Sequence, residues 1–566
     1  MKLYLLIGLF ISLKLSAQNN NKIPILNNEA IRLNQIGYYP ESPKMFVFAG
    51  NSAQNYNIIN ADGRIVYKGT LKPATTWDKS GEELQTGDFS LLQTPGKYFI
   101  LLNNKIQSLS FEIKPNIYLD LSYASVKAFY YQRASMPIIA KFAGKYHRVA
   151  GHPDTACYYH SSTGHKFGKK ASPRGWYDAG DYNKYVVSAG VSMGLLMQLH
   201  ELFPNWLADG SLNIPESGNG VNDLLDEIHF ELDWLISMQD IDGGVFCKVT
   251  NLIHDPFIMP DKAIERRYIV GKSTGSTLCF AAIMAQASRI FKPINQGFAG
   301  FLLQASERAW QWAVSHPNIE FKNPPDVKTG EYGESNFRND FFWAASELYV
   351  TTSKPLYVQA LFKYTQPFNY YYGNWRNFIS TLGYFSLLSD ECQLSAIEKG
   401  KIKTRLFFVG DSLIGNIKKE PYRIPIDNFN WGSNSDMLDA AIVLAMAYKY
   451  SSDKKYLNAA LETTDYIFGK NATTYCFVTG FGSKSPKNPH HRLSAADGLN
   501  DPIPGFLVGG PNKNRNDEPN IKYINLEPAR SYIDNSGSFA SNEVAINWNA
   551  PLAFITGFFE NSFGKK

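Results

Sequence analysis

From Leu119 onward the chain changes its hydrophobic period, and it keeps the new one for most of its 566 residues. Val221, Leu224, Leu225, Ile228, Leu232, Leu235 and Ile236 recur at three- and four-residue steps, which draws one apolar stripe along a helix. The turn Pro215-Glu-Ser-Gly-Asn-Gly220 leads into it. The same period predicts helices over 119–133, 186–202, 273–290, 298–316, 339–352, 355–365, 376–388, 393–417, 435–450, 454–468 and 544–560. Amphipathic helices in this number, with almost no strand signal among them, must bury their faces against one another. Antiparallel pairs closing into a double-layered ring would do so within one domain. A superhelical solenoid is the rival arrangement, but no fixed-period repeat supports it.

Ahead of the switch the pattern is β. Short runs such as Met45-Phe-Val-Phe48, Arg64-Ile-Val-Tyr67 and Tyr98-Phe-Ile-Leu-Leu102 alternate with turn signals at Ala61-Asp-Gly63 and Thr94-Pro-Gly96. They predict a small β-sandwich over 23–115, with the helical domain taking 118–566. Met1-Lys2, the apolar run Leu3 to Leu13 and the small pair Ser16-Ala17 form a signal-peptide pattern over 1–17, too short to span a bilayer. No cysteine stands near its end to carry a lipid, and no second long apolar run follows. The expected product is exported, periplasmic or secreted, with no membrane span, and a monomer. A net charge of +5 on this length gives no argument for nucleic acid or an anionic membrane. Five scattered cysteines with no C-x-x-C make no disulfide framework and read as buried small hydrophobes.

Four long stretches lack any period: 140–185, 241–272, 317–338 and 470–543. Loops of that length in a compact domain usually carry function. The first holds Gly175-Trp-Tyr-Asp-Ala-Gly-Asp-Tyr-Asn-Lys-Tyr185, with Asp178 and Asp181 three residues apart among glycines and aromatics. Carboxylates set beside flat apolar faces can serve as a base or as metal ligands next to a stacked sugar ring. The same residues would equally make a tight turn with an Asx cap ahead of a helix. Pro486-Lys-Asn-Pro-His-His-Arg492 and Tyr532-Ile-Asp534, followed by Glu543 at the start of the last helix, are further clusters. Taken singly, His490 and His491 could be a solvated pair, Asp534 a turn cap, and Glu543 a complement to a helix dipole.

Taken together and in order, these clusters resemble glycoside hydrolase family nine, in the subgroup with an N-terminal immunoglobulin-like domain. The resemblance runs from Arg32-Leu-Asn-Gln-Ile-Gly-Tyr38 to the last helix. It includes Asn213-Ile-Pro-Glu-Ser-Gly-Asn-Gly220, Trp431-Gly-Ser-Asn434 and the segment from Tyr532 through Asn549-Ala550. It implies an (α/α)6 barrel of about twelve helices behind an immunoglobulin-like β-sandwich, a mainly α chain, and an inverting hydrolase of β-1,4-glucosidic bonds that needs no cofactor. Its substrate would be a β-glucan polysaccharide or oligosaccharide. The roles carried over by position are Glu543 as acid, Asp181 as base and Asp178 as a second hold on the same water. Asp534 would help raise the pKa of Glu543, while His490 and Arg492 would bind sugar hydroxyls. Trp375, Trp431 and Trp548 are candidate stacking platforms.

Departures from the family's pattern bear on metals. Ala134 stands where a zinc-binding cysteine would, leaving Cys157, His160 and His165 as an incomplete set, so no zinc is expected. A calcium site of relatives falls on Ser335-Asn-Phe-Arg-Asn-Asp340, where Asn339 replaces an acid and weakens the site without abolishing it. Cys247 stands where relatives often carry a histidine, and Cys476 where a small hydroxyl or Val is usual. Two rival readings remain: an exo-acting cellodextrinase or β-glucosidase of the same family, and a glycan-binding protein without activity.

Overall fold

The computed structural model describes residues 28–365, 370 and 375–563. The expected leader over 1–17 lies outside the described residues. Nine short strands from Ile31–Arg32 (β1) to Phe111–Ile113 (β9) form two antiparallel sheets. One runs in the order β1, Met45–Ala49 (β2), Glu82–Asp88 (β6), Thr75–Trp77 (β5). The other runs Ile65–Thr70 (β4), Asn55–Asn60 (β3), Gly96–Leu102 (β7), Ile106–Gln107 (β8), with β9 also on β7. Phe46, Phe48, Tyr56, Ile58, Ile100 and Phe111 fill the space between them, since alternate strand residues point inward.

Twelve helices of ten residues or more follow among the described residues: Leu119–Gln132 (α1), Val186–Leu202 (α2), Asp223–Met238 (α3), Thr274–Phe291 (α4), Gln296–Ser315 (α5), Arg338–Thr352 (α6), Pro355–Tyr364 (α7), Trp375–Leu387 (α8), Ala396–Ile417 (α9), Ser433–Ser451 (α10), Lys454–Ile467 (α11) and Ile546–Phe563 (α12). The even-numbered helices touch in one closed cycle, α2–α4–α6–α8–α10–α12 and back to α2. The odd-numbered helices pack outside them, α1 on α12, α3 on α2, α5 on α4, α7 on α6, and both α9 and α11 on α10. This is the double-layered ring, and it excludes the solenoid.

Sequence explains which helix goes where. The inner helices α2 and α10 are mostly apolar or small, with Gln198, Asn434 and Asp439 as buried exceptions, and buried along nearly their whole length. The outer helices α3 and α11 keep one charged face. Gly190 on α2 lets the inner layer close, because a Cβ there would collide with the Cys279 sulfur on α4. Each fully buried Leu or Met of the inner layer contributes roughly 1.5–3 kcal/mol. The sandwich is docked rather than tethered. Asn34 Nδ2 donates to Asp465 at 2.7 Å, Tyr39 OH to Glu560 at 2.5 Å and Trp77 Nε1 to Glu420 at 2.5 Å.

The loops are less irregular than their composition predicts. Cys157–Tyr159 (β10), Lys169–Lys170 (β11), Lys184–Tyr185 (β12), Phe246–Thr250 (β13) and Tyr268–Lys272 (β14) assemble into a five-stranded sheet in the order β11-β10-β14-β13-β12. The strands are too short to show a period, and their partners are distant in sequence. The sheet matters because β12 follows directly on Asp181.

Candidate active site

The stretch from Gly175 to Tyr185 turns back on itself, with Asp178 N–H donating to Asn183 C=O at 2.9 Å. Tyr185 is the N-cap of α2. Both aspartates end up almost fully buried, Asp178 at 1% and Asp181 at 6% exposed. Tyr332 OH donates to Asp178 Oδ2 at 2.8 Å, with the Ser188 hydroxyl also beside that carboxylate. Asp181 Oδ2 receives Asn183 Nδ2 at 2.5 Å and Tyr185 OH at 3.3 Å, and His254 Nδ1 lies 3.3 Å away. Among the described residues nothing donates a hydrogen bond to Asp181 Oδ1.

Two distant segments are knitted to this turn through the backbone. Arg492 N–H donates to Gly180 C=O at 3.0 Å, and Ile546 N–H donates to Asp178 C=O at 2.8 Å. Residue 180 must be glycine, because a Cβ there would lie inside the His490 carbonyl. Glu543 is the extended C-cap of the short helix Phe539–Asn542, three residues ahead of α12. His490 N–H donates to Asn542 C=O at 2.9 Å, which sets the imidazole beside Glu543 with Nε2 4.0 Å from Oε1.

Asp178, Asp181 and Glu543 open onto one cavity of about 620 Å³, whose wall also includes His490, Arg492, Trp431 and Trp548. Trp431 is 46% exposed and leans on Phe539, ring centroids 5.4 Å apart. Trp548 is 9% exposed and forms wall rather than platform. The Trp375 side chain lies outside the described residues. Arg492 spends Nε on Asp255 C=O at 2.7 Å and Nη1 on Gly180 C=O at 2.8 Å, so it braces the turn.

Asp534 is placed differently from the expectation. Its carboxylate receives the N–H groups of Lys487 and Asn488, each at 2.8 Å, and Asn542 Nδ2 at 3.2 Å. It lines a separate cavity at the boundary with the sandwich. What raises Glu543 is burial, then the charges of Asp181 and Asp178. Asp534 instead fastens the backbone ahead of His490 to the residue before Glu543.

The carboxyls divide by proton affinity. Burial, followed by the two aspartate charges, pushes Glu543 well above the usual carboxylate range. Burial and the Asp181 charge also push Asp178 up. Asp181 meets the same burial, but the His254 hydrogen bond and charge, the Arg492 guanidinium and the Asn183 amide outweigh it and hold that carboxyl down. Burial and the Arg492 charge lower His490 to about 4, so its ring is neutral above that pH. Nδ1 then donates to Ser536 C=O at 2.7 Å, leaving Nε2 as an acceptor toward the cavity.

His254, Tyr332 and Tyr185 line the cavity without having been singled out by sequence. The glycines of Gly330-Glu-Tyr-Gly333 are the signal that could have found Tyr332, which sits at φ +51°. No comparable signal marks His254.

The residues considered for metals do not converge. His160 faces Asp326 at 3.3 Å, His165 faces Asp240 at 2.9 Å, and burial and the Asp154 charge push the Cys157 thiol up to about 12. These three do not fit a zinc ion. In the calcium region Arg376 pairs with Glu334 and stands 3.7 Å from Asp340, while Asn339 bonds Asn377 at 3.0 Å. A guanidinium there does not fit a bound cation. Among the described residues no three His, Cys, Asp or Glu gather as a metal site. Cys247 packs with Val270, Phe321 and Val327, in a cluster apart from the cavity wall.

An (α/α)6 ring with three recessed carboxyls of unlike proton affinity, a neutral imidazole and an exposed indole around one cleft defines a carboxyl-driven hydrolase of glycans. Residues 118–556 match the model described as glycosyl hydrolase family 9, and residues 27–105 match the cellulase N-terminal ig-like domain. The chain belongs to glycosyl hydrolase family 9, whose enzymes cleave β-1,4-glucans with inversion. It is 40% identical over 562 residues to the xyloglucan-specific endo-beta-1,4-glucanase of Bacteroides ovatus, covering 94% of each chain. It is 33% identical over 538 residues to endoglucanase D of Acetivibrio thermocellus, covering 94% of this chain and 83% of that one. A solved structure titled Bacteroides ovatus GH9 superposes with a TM-score of 0.88 at 40% identity, covering 94% of this chain and 99% of the other. No described helix is long and apolar enough to cross a membrane.

Proposed function

We propose that the chain is an endo-acting β-1,4-glucanase in which Glu543 is the acid and Asp181 the base. Glu543 gives its proton to the oxygen of the leaving sugar. Asp181 takes a proton from a water that attacks the anomeric carbon on the opposite face, and Asp178 shares the hold on that water. The C–O bond breaks as the new one forms, so the anomeric configuration inverts. The observation that carries this reading is the opposed proton affinities of Glu543 and Asp181 on one cavity.

Neutral His490 accepts a sugar hydroxyl at Nε2, and Trp431 offers the stacking face. No residue in this scheme needs a metal. The xyloglucan-specific relative of Bacteroides ovatus makes xyloglucan the first polymer to try. A cellodextrinase of Butyrivibrio fibrisolvens, 31% identical over 561 residues, keeps exo action as the alternative outcome. The reading also has the protein act as an exported monomer, with a leader over 1–17, a sandwich over 23–115 and a ring over 118–566. The apolar run at the start and the two family matches support that division.

The test is a panel of xyloglucan, mixed-linkage glucan and carboxymethylcellulose, followed by viscosity, reducing ends and product anomer. A rapid viscosity fall with α-anomeric products is expected. Small products released from chain ends without a viscosity fall would replace endo with exo action. β-Anomeric first products would overturn the roles given to Asp181 and Glu543.

A further inference from the structure

We infer that the cavity between the sandwich and the ring is a second binding site, for a neutral saccharide, separate from the cleft that holds Glu543. It measures about 610 Å³ against about 620 Å³ for the catalytic cavity, a volume ordinary for a ligand site. Its wall carries three carboxylates, Glu29, Glu82 and Asp534, and three basic groups, Arg32, Lys484 and Arg530. Their formal charges cancel, so the wall selects neither an anion nor a cation. Most of these groups are also satisfied by the protein. Arg32 Nη2 meets Glu82 at 2.6 Å, Lys484 Nζ meets Glu29 at 2.7 Å, and Asp534 is held by the two backbone amides already described.

What the protein leaves unspent on this wall is a set of hydrogen-bonding groups. Among the described residues the Tyr475 hydroxyl, the Asn525 amide and the Arg530 guanidinium have no hydrogen-bond partner. Apolar surface lies beside them. Ile524, on the same wall, is 90% exposed. The Tyr475 ring is half-buried, with Lys484 Nζ 4.7 Å from its centroid and the Tyr532 ring at 5.0 Å, inclined by 63°. A sugar ring presents C–H groups on its faces and hydroxyls around its edge, and those hydroxyls donate and accept at once. A neutral saccharide therefore uses both halves of the wall.

The site is also fixed relative to the catalytic acid. Tyr532 OH donates to Asn542 Oδ1 at 2.7 Å, and Asn542 Nδ2 donates to Asp534 Oδ1 at 3.2 Å. Asn542 immediately precedes Glu543. On the sandwich side, Gln35 Nε2 donates to Thr474 C=O at 2.7 Å and Ala529 N–H donates to Lys79 C=O at 2.9 Å. No part of the wall has to be ordered before a ligand arrives, which lowers the cost of binding. A saccharide seated there stands at a constant offset from Glu543, so the cavity can hold one part of a glucan while the cleft works on another.

The test is calorimetric titration of cellohexaose into the full chain carrying Glu543→Gln, alone and combined with Ile524→Asp or with Tyr475→Phe and Arg530→Gln together. The expected result is two sugars bound per chain, with one of the two weakened about tenfold or more in each combination and the other within about twofold. Ile524 is so exposed that its variant decides the matter alone if the other combination does not fold. A single bound sugar, or two that neither combination weakens, overturns the inference. So does inorganic phosphate binding at this cavity in place of cellohexaose. Native electrophoresis through xyloglucan separates the two sources of such a ligand. Retardation that Ile524→Asp relieves identifies the polymer, whereas retardation it leaves alone, with the cellohexaose site lost, identifies a short free sugar. Binding is read without turnover, so an inactive parent chain would remove the proposed function and leave this site standing.

Discussion

Two sets of buried charges share the turn from Gly175 to Tyr185, and they are finished differently. In one, Lys184 donates to the carbonyls of Ser172 and Arg174 at 2.8 and 2.7 Å and meets Asp154 at 2.9 Å, while Arg267 closes on the same aspartate at 3.2 Å. Beside it Arg133 pairs with Glu227 at 2.9 Å, and Glu227 also receives the Trp176 indole N–H at 2.7 Å. In the other set, Asp181 keeps a buried oxygen with no hydrogen-bond partner among the described residues, and Glu543 is raised by burial and then by two like charges. Saturated ion pairs hold a shape, whereas unsaturated carboxyls keep a chemical task open. One eleven-residue stretch does both: Trp176 and Lys184 join the first set, while Asp178 and Asp181 belong to the second.

The comparison can be broken first at the unsaturated set. Glu543→Gln should lower kcat by roughly 10²–10⁴, the usual share of general acid catalysis, while thermal unfolding stays where it was. A variant within tenfold of the parent enzyme would break the assignment. Arg133→Met is the converse. It leaves Glu227 buried and unpaired, so unfolding should be easier by about 3–5 kcal/mol, with the activity of the folded fraction nearly unchanged. Denaturant titration beside specific activity separates the two sets.

The pH profile sharpens the contrast further. Asp181, held down, must be ionised, so activity is lost as pH falls through its depressed pKa. Glu543, pushed up, must be protonated, so activity is lost as pH rises through its elevated pKa. The bell should therefore be wide, with a basic limb well above the ordinary glutamate value of about 4.3. A basic limb at that ordinary value would count against burial as the source of the acid. Smallest of all, Trp431→Ala should raise KM severalfold with kcat little changed, since one exposed aromatic face contributes only about 1 kcal/mol. A fall in kcat with constant KM would instead place that ring nearer the chemistry.

Much of the ring was legible before any coordinates, because twelve helical patterns leave few ways to bury their faces. The small sheet β10–β14 was not, since strands of two to five residues, one pair of them matched across more than a hundred positions, leave no local period. Asp178 and Asp181 stood out as carboxylates among glycines and aromatics, a pattern that a plain turn does not require. His254 and Tyr332 did not, because loop residues meet their partners only through the fold. Asp534 shows the limit of a motif. Its place in the chain is informative, but the direction of its carboxylate depends on where the Lys487 and Asn488 amides lie. The tryptophans divide for the same reason, since only the packed helices decide whether an indole becomes wall or platform.

The ring closes through α12, which seats between α2 and α10 and follows Glu543 directly. A ribosome making this chain releases that helix after the other eleven. Until that helix docks, the inner layer keeps an open seam of apolar side chains, and Glu543 is not yet at the cleft. Exposed seams of this kind attract chaperones and other unfinished chains. Sealing the ring and bringing Glu543 to the cleft thus depend on the docking of one helix.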